Sequence, residues 1–421
     1  MNLKPPRMLI VTTQSWPATD HLTHALHEVG FDVATVYPRS HPPKCLDVCS
    51  VAFPSGTLRF AKAIERAILE FAPNMVIPTD DPSVHHLHEL HALHSSRQEP
   101  RSRQIARAIE MSLGKASYFD LIAKKSNLLR FGRRHGVPVP KTIELEDART
   151  LRAILSSLAM PVVLKIDGSW GGLGVQLVQD VEAGMAAYRR MTSPVNLALK
   201  WLVSGEFNRL RQMMDPRQRR VSVQEYIEGI PANRAVICQD GRVLAGISVE
   251  AIKIAHQTGP ATVVKFIDNP IMESVAAFIV NKFKMSGFVG FDFMLEHGTR
   301  RTLLIEMNAR ATPICHLVPE GRFDLPGALY GALAGPNGHR REIVKDNVVA
   351  LFPQEWTRDP QSEYIASSYH DVPWQYPDLV RAYIVEATGA AAKGKKGKRG
   401  KKGRGTFGGR VGRVAEIVRS L

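Results

Sequence analysis

Strand and helix patterns alternate over the first eighty residues. Three apolar runs, RMLIVTT (7–13), FDVATVYP (31–38) and NMVIPT (74–79), have the composition of buried strands. Two stretches with helical spacing of apolar residues, 18–30 and 61–72, separate them. Strands that alternate with helices in this way predict a parallel sheet with helices packed on its faces.

A histidine-rich helix is predicted after the third strand. Asp81-Pro82 has the residue types of an N-cap followed by a first helical position. Five histidines follow within the helix: His85, His86, His88, His91 and His94. The apolar residues Val84, Leu87, Leu90 and Leu93 mark the opposite, buried side. We therefore interpret the histidines as a solvated polar face, with a metal site as the alternative.

The remainder of the chain divides by pattern and composition. From about 115 to 330, helices alternate with pairs of strands, and 188–220 is an Arg-rich, mostly helical insertion. A smaller segment follows at 331–387. Residues 388–421 form a basic, low-complexity tail that cannot bury a core, so we expect disorder there apart from a short terminal helix.

Composition indicates a soluble, reduced protein. Hydrophobic residues make up 44% of the chain and charged residues 23%, which is typical of globular domains. No apolar run approaches the ~18 residues of a membrane span, and the N-terminus does not have the pattern of a signal peptide. Four cysteines are too few for a disulfide framework. We therefore expect a cytoplasmic location.

Much of the positive charge belongs to the tail. The formal net charge is +15, and the segment KGKKGKRGKKGR (393–404) contributes eight lysines or arginines and no acid, which leaves +7 elsewhere. Such a segment could bind nucleic acid or another anionic surface in a salt-dependent way. It contains no aromatic residue for base stacking, so we interpret the tail as an accessory.

A predicted hairpin carries the most informative side chains. In GFVGFDFMLEHGTRRTLLIEMNAR (287–310), EHGT is a turn signal between two apolar runs. A hairpin centred on Thr299 pairs Asp292 with Glu306, and like charges directly opposite each other destabilise a sheet. A cation between them would remove the repulsion, and Mg²⁺ prefers oxygen ligands. We therefore predict a metal site at Asp292, Glu306 and Asn308.

Arg310 follows on the same face as Glu306 and Asn308 and could hold a phosphate or a carboxylate with two hydrogen bonds. The alternative is a polar strand end that faces solvent and binds nothing.

Two further stretches contain residues that could bind a nucleotide. The sequence PVVLKIDGSWGGLGVQLVQD (161–180) reads as a glycine-rich hairpin whose backbone N–H groups can approach phosphates, and Lys165 adds a positive charge. Its glycines are Gly168, Gly171, Gly172 and Gly174. It is not a P-loop, since no G-K-[ST] follows. The strand 221–229 runs into Gln224, Glu225 and Ile227, which could bind and flank an adenine ring.

In this order, the segments resemble the ATP-grasp enzymes over roughly residues 115–320. The matching segments are KKSNLLRFGRRHGVPVPKT, PVVLKIDGSWGGLGV, VQEYIEG and GFDFML…LLIEMNAR. The resemblance is closest to the branch of biotin carboxylase and carbamoyl-phosphate synthetase, whose members begin with a Rossmann-like domain. Here the first turn, TQSWPATD, lacks the G-x-G-x-x-G fingerprint of dinucleotide binding.

The resemblance implies a mixed α/β and α+β architecture. A Rossmann-like domain would occupy 1–114 and an ATP-grasp domain 115–330, with one subdomain at about 115–220 and another at about 221–330.

The resemblance also implies residue roles. Lys125, with Lys124 as the weaker match, and Lys165 correspond to two cofactor-binding lysines, one before the GVP turn and one before the glycine-rich lid. Gln224, Glu225, Tyr226 and Ile227 correspond to the adenine-contacting strand. Asp292, Glu306 and Asn308 correspond to the metal ligands, and Arg310 to an arginine that serves substrate or phosphate.

Two features depart from the family pattern. Asp292 stands where Glu or Gln is usual, and no residue of GIPANRA (229–235) is an obvious ribose contact. The bicarbonate-site pattern of biotin carboxylase is not evident, which argues against a biotin-dependent role.

The implied activity uses ATP with Mg²⁺ or Mn²⁺ and joins a carboxylate to an amine through an acyl phosphate. Arg310 and Lys165 would stabilise charge on the transferring group. Three alternatives remain open: a carbamoyl-phosphate-synthetase-like or bicarbonate-phosphorylating enzyme, a non-catalytic ATP-binding protein, and an anionic-polymer binder acting through the tail.

Overall fold

The structure is a computed structural model of the 421-residue chain. It describes residues 4–56, 59–122, 125–145, 148–166, 174–193, 221–256, 259–299, 301–322, 324–335 and 341–385.

The N-terminal region contains the predicted parallel sheet. Its strands are β1 (Arg7–Val11), β2 (Asp32–Pro38), β3 (Val51–Ser55) and β4 (Met75–Pro78), in the order β3-β2-β1-β4. All three pairings are parallel. The helices are α1 (Pro17–Glu28), α2 (Phe60–Phe71), α3 (Asp81–Ser95) and α4 (Pro100–Leu113), with a 3₁₀ turn at Leu46–Val48. The sequence analysis did not predict β3.

A second, smaller sheet is antiparallel. Its strands are β5 (Thr142–Glu144), β6 (Val162–Ile166), β7 (Val175–Val178) and β8 (Val221–Glu225), in the order β5-β8-β6-β7. We call it the lid sheet. The helices of this region are α5 (Phe119–Ile122), α6 (Lys125–Arg134), α7 (Leu151–Ser157) and α8 (Val181–Thr192), with 3₁₀ turns at Ala116–Tyr118 and Ala148–Thr150.

The third and largest sheet has seven strands. They are β9 (Gly229–Gln239), β10 (Arg242–Ile254), β11 (Ala261–Phe266), β12 (Gly287–Glu296), β13 (Thr302–Asn308), β14 (Val348–Leu351) and β15 (Tyr369–Asp371). Their order is β13-β12-β9-β10-β11-β14-β15, and only the β14–β15 pair is parallel. The helices are α9 (Pro270–Phe283), α10 (Leu325–Ala334), α11 (Gln354–Arg358) and α12 (Glu363–Ser367). We call this the central sheet.

The two faces of the central sheet contribute to different hydrophobic cores. One core joins this sheet to the N-terminal region and contains Ile10 of β1, Leu22 of α1 and Ile247 of β10. The other core contains Phe283 of α9 and Phe291 of β12. Because alternate side chains of a strand point to opposite faces, Asp292 lies on the face that packs against the N-terminal region.

The histidine-rich helix differs from its prediction. The N-cap is Asp80, whose Oδ1 accepts a hydrogen bond from Ser83 N at 2.8 Å, and Asp81 is the first helical residue. The other carboxylate oxygen of Asp80 accepts from Thr13 N at 2.6 Å, which ties the turn after β1 to the start of α3.

The predicted solvated histidine face is wrong. His86 and His94 are buried, and the His88 ring stacks on Phe119 with centroids 4.2 Å apart. Burial lowers the pKa of His88 to about 3, so this ring is neutral. Leu93, predicted to be buried, is instead exposed. Helical spacing failed here because His86 packs on Phe60, and His88 and His91 pack on Phe119, all in neighbouring segments.

Across the described ranges, we find no helix with the length and apolar character needed to span a membrane.

Gly290 of β12 gives a direct test of the packing beside the central sheet. A Cβ at this position would overlap Cγ2 of Thr312. We expect Gly290→Ala to lower the free energy of unfolding by about 1–3 kcal/mol through overpacking, measured by denaturant unfolding. Thr312→Ser removes Cγ2 but keeps the hydroxyl, so the double variant should recover most of the loss. A double variant no more stable than Gly290→Ala would contradict this explanation.

Candidate active site

The β12–β13 hairpin has the predicted register at its carboxylates. Asp292 is the Cα partner of Glu306, and Gly290 is the partner of Asn308. Between Asp292 and Phe293 the register shifts, because Phe293 pairs with Leu304 and leaves Ile305 as an extra residue. The prediction is therefore confirmed for the acidic pair but not for the residues nearer the turn.

Two amides orient the carboxylate of Asp292. Asn233 Nδ2 donates to Oδ1 at 2.6 Å, and Asn308 Nδ2 donates to Oδ2 at 2.8 Å. Asn233 lies on β9 directly beside Asp292, so three neighbouring strands present Asn233, Asp292 and Glu306 in one row. Hydrogen bonds from amides favour the ionised carboxylate.

Asn233 was missed in the sequence analysis. It lies in the segment GIPANRA, where no residue could be assigned to the nucleotide. The only available signal was the polar residue at a strand position facing the acidic hairpin, and that proximity depends on the pairing of β9 with β12.

Arg310 connects this row to the N-terminal region. Its Nε donates to Asp81 Oδ1 at 2.8 Å, and a terminal nitrogen donates to Asn308 Oδ1 at 3.3 Å. Burial opposes the charge, but Asp81, Asp292 and Glu306 outweigh it and raise the pKa of Arg310 above its ordinary value. Arg310 is therefore a guanidinium cation. Asp81 was also missed, since the sequence suggested only a capping role for it.

The carboxylates around Arg310 could hold a cation. Those of Asp81, Asp292 and Glu306 all interact with its guanidinium. Carboxylate and amide oxygens are the ligands that Mg²⁺ accepts, and Asp292 and Glu306 fit that demand. The oxygen of Asn308 faces Arg310 in this arrangement, so its amide would have to rotate to present that oxygen to a metal.

The lid sheet positions the glycine-rich hairpin. Val162 and Leu164 of β6 pack against α7 and α8 in the lid core. Lys165 therefore lies on the opposite face of the sheet, paired with Val175 and Ser222. Ile166 N donates to Gly174 O at 3.0 Å and closes the base of the hairpin. Gly168, Gly171 and Gly172 lie outside the described residues, as do the side chain of Lys125 and the 393–404 segment.

The predicted adenine-binding residues connect the lid sheet to the central sheet. Gln224 is buried, and its Nε2 donates to Thr142 Oγ1 at 3.0 Å. The Glu225 carboxylate accepts from Lys141 N at 3.1 Å. Tyr226 is exposed and Ile227 is buried. These four residues therefore form the end of β8 and the link to β9.

The chain matches the model of a known domain family. The model described as "ATP-grasp domain" matches residues 122–313. Residues 122–313 therefore match an ATP-grasp domain. The match includes every residue that we predicted to bind the nucleotide or the magnesium ion, from Lys125 to Arg310, whereas Asp81 lies outside it.

Several solved structures share the fold. The biotin carboxylase domain of Hydrogenobacter thermophilus 2-oxoglutarate carboxylase has a TM-score of 0.55 at 15% identity, covering 79% of this chain and 71% of that one. L-amino acid ligase from Bacillus licheniformis has a TM-score of 0.52 at 15% identity, with 79% and 75% covered. N5-carboxyaminoimidazole ribonucleotide synthetase from Thermotoga maritima has a TM-score of 0.50 at 15% identity, with 80% and 78% covered.

The comparisons confirm the mixed α/β fold, with its N-terminal parallel sheet and ATP-grasp region. No curated protein sequence matches the chain.

The contact between Arg310 and Asp81 can be measured by a double-mutant cycle. We expect Asp81→Asn and Arg310→Gln to show a coupling of about 0.5–3 kcal/mol in the free energy of unfolding, because the two groups are in direct contact and Arg310 is largely buried. As a control, the exposed Arg152–Glu182 pair of the lid should show no measurable coupling. Equal coupling energies in both pairs would contradict the prediction that the Arg310–Asp81 contact stabilises the fold more than an exposed ion pair does.

Proposed function

We propose that the protein is an ATP- and Mg²⁺-dependent ligase that joins a carboxylate to an amine through an acyl phosphate. One observation carries the proposal: within an ATP-grasp domain, Asp292 lies directly across the hairpin from Glu306. Arg310 interacts electrostatically with both carboxylates. A pair of carboxylates beside a guanidinium suits a metal and the phosphates of a nucleotide.

The metal ligands in this proposal are Asp292, Glu306 and, after rotation of its amide, Asn308. Bound Mg²⁺, or Mn²⁺ in its place, would offset the negative charge on the phosphates. Asn233 already holds Oδ1 of Asp292, and this hydrogen bond does not depend on the orientation of the Asn308 amide. That arrangement reduces the freedom lost when the carboxylate binds an ion.

Arg310 has the role of binding the transferring phosphoryl group or the substrate carboxylate. Asp81 holds Nε of the guanidinium and so acts as a positioning residue. Lys165 and Lys125 would bind the nucleotide phosphates together with the glycine-rich hairpin. That hairpin would exclude water, because an acyl phosphate otherwise hydrolyses. Gln224, Glu225, Tyr226 and Ile227 would contact the adenine ring.

The identity of the acid substrate distinguishes the proposed ligase from its nearest alternative, a bicarbonate-phosphorylating enzyme. One structural neighbour is an L-amino acid ligase, and another was solved with MgADP and bicarbonate. At 15% identity these likenesses extend to the fold alone. We favour an organic carboxylate because the bicarbonate-site pattern of biotin carboxylase is not evident in the sequence.

The metal assignment is tested with Glu306→Gln. We expect this variant to lose about 10²–10³-fold in Mg²⁺-dependent ADP release, because it removes one charge from the group that stabilises phosphoryl transfer. Glu296→Gln is the matched control, since Glu296 lies on the same hairpin and pairs with Arg301 beside the turn. Full Mg²⁺-dependent turnover in Glu306→Gln would refute the assignment.

The reaction class is tested with a substrate panel. Purified protein is incubated with ATP, Mg²⁺ and pairs of carboxylic acids and amines, and ADP and phosphate release are measured. We expect release that requires both an organic acid and an amine, with formation of an amide product by mass spectrometry. Release that depends on bicarbonate instead would support the bicarbonate-phosphorylating alternative.

A further inference from the structure

Three buried polar residues from distant parts of the chain meet at one point. His21 lies in α1, His316 in the segment after β13, and Asp371 at the end of β15. Their exposed fractions are only 6%, 8% and 7%. This cluster is distinct from the row of Asn233, Asp292 and Glu306, and no role was predicted for it from the sequence.

The three side chains converge at short distances. His21 Nδ1 lies 3.1 Å from His316 Nε2, and His316 Nε2 lies 2.9 Å from Asp371 Oδ2. His21 Nδ1 lies 3.5 Å from the same carboxylate oxygen. Two ring nitrogens and one oxygen therefore form a compact triangle.

Hydrogen bonds alone satisfy this triangle poorly. If a single proton lies on His316 Nε2, His21 Nδ1 and the carboxylate must share it. If it lies on His21 Nδ1, the lone pair of His316 Nε2 faces the carboxylate oxygen. If both nitrogens carry protons, two N–H groups face each other at 3.1 Å. The other ring nitrogens, His21 Nε2 and His316 Nδ1, lie outside the triangle, and a metal bound within the triangle would leave them unchanged.

Metal binding requires particular protonation states of these groups. A neutral imidazole and an ionised carboxylate are the forms that bind metal ions.

We propose that His21 Nδ1, His316 Nε2 and Asp371 bind a divalent transition-metal ion, with zinc as the best chemical match. Zinc takes nitrogen and oxygen ligands at about 2.0–2.2 Å in tetrahedral geometry, which sets ligand atoms about 3.3–3.5 Å apart. The observed separations of 2.9–3.5 Å need only small adjustments to reach that spacing. A water molecule would complete the coordination.

Nearby charge does not prevent cation binding. Arg341 donates to the backbone oxygen of His316 at 2.8 Å, but its guanidinium also pairs with Glu28 and Asp324, each at 2.9 Å. Its positive charge is therefore compensated by two carboxylates.

The proposed ion would connect the active site to the rest of the fold. The segment between Arg310 and His316 also contains Thr312, whose hydroxyl lies 3.5 Å from Asn233 Oδ1. A metal at His316 would fix the far end of this segment to α1 and β15. Because the ligands come from three parts of the chain, binding would be coupled to folding.

The test uses the full-length chain, refolded with and without Zn²⁺ because exchange into a buried site is slow. Metal content is measured by mass spectrometry after desalting, and zinc affinity by competition with a chromophoric chelator. We expect about one zinc per chain and an increase in Tm with zinc. His316→Gln and Asp371→Asn should weaken zinc binding by more than about 100-fold, since even a residue that only orients a ligand contributes about 10–100-fold.

Two controls locate the ion. His27→Gln changes an exposed histidine of the same helix α1 and should keep both zinc and the Tm increase. Glu306→Gln should also keep zinc, which separates this site from the proposed magnesium site. Co²⁺-loaded wild-type protein should show visible d–d bands without thiolate charge transfer, because no cysteine belongs to the cluster.

Wild-type protein that refolds without binding zinc or cobalt would overturn the proposal and leave a hydrogen-bonded cluster only. Zinc retained by both ligand variants, zinc lost in Glu306→Gln, or a thiolate signal in the cobalt spectrum would also overturn it. If the ligand variants fail to fold, the stoichiometry and cobalt spectrum of the wild type still decide the question.

Discussion

The arrangement of the candidate active site depends on two carboxylates held directly opposite each other on a hairpin. Asp292 and Glu306 would repel one another across β12 and β13, and such pairs destabilise a sheet unless positive charge or hydrogen-bond donors compensate. The surrounding groups supply that compensation. Two amides donate to Asp292, and Arg310 interacts with both acids. In the proposed function, an ion at this position would add to that compensation.

The N-terminal region completes this site from outside the ATP-grasp domain. Asp81 follows the carboxyl end of β4, and ligands of open parallel sheets bind at that end of the strands. Its ion pair with Arg310 and the hydrogen bond from Ala311 N to Pro78 O at 3.2 Å fix the two sheets against each other. In the proposed function, the N-terminal region thus contributes a positioning residue at the start of α3, although the first turn of the parallel sheet lacks a phosphate-binding fingerprint.

The segment after β13 contributes to both the proposed active site and the proposed zinc site. Arg310 lies at its start, Thr312 contacts Asn233, and His316 contacts His21 and Asp371. A short connection that is held by such contacts would reduce the freedom of the arginine that is proposed to bind the transferring group. The placement of Arg310 therefore depends on contacts beyond the acidic pair.

The sequence by itself determined the local features: the alternation that builds a parallel sheet, the hairpin that pairs Asp292 with Glu306, and the glycine-rich stretch between β6 and β7. These depend on periodicity and turn residues within a few positions of one another. Only the tertiary structure brought Asn233 and Asp81 to the acidic pair, buried the α3 histidines and joined His21, His316 and Asp371. Those contacts link residues tens to hundreds of positions apart, and no local pattern encodes them because they arise from the packing of separate elements.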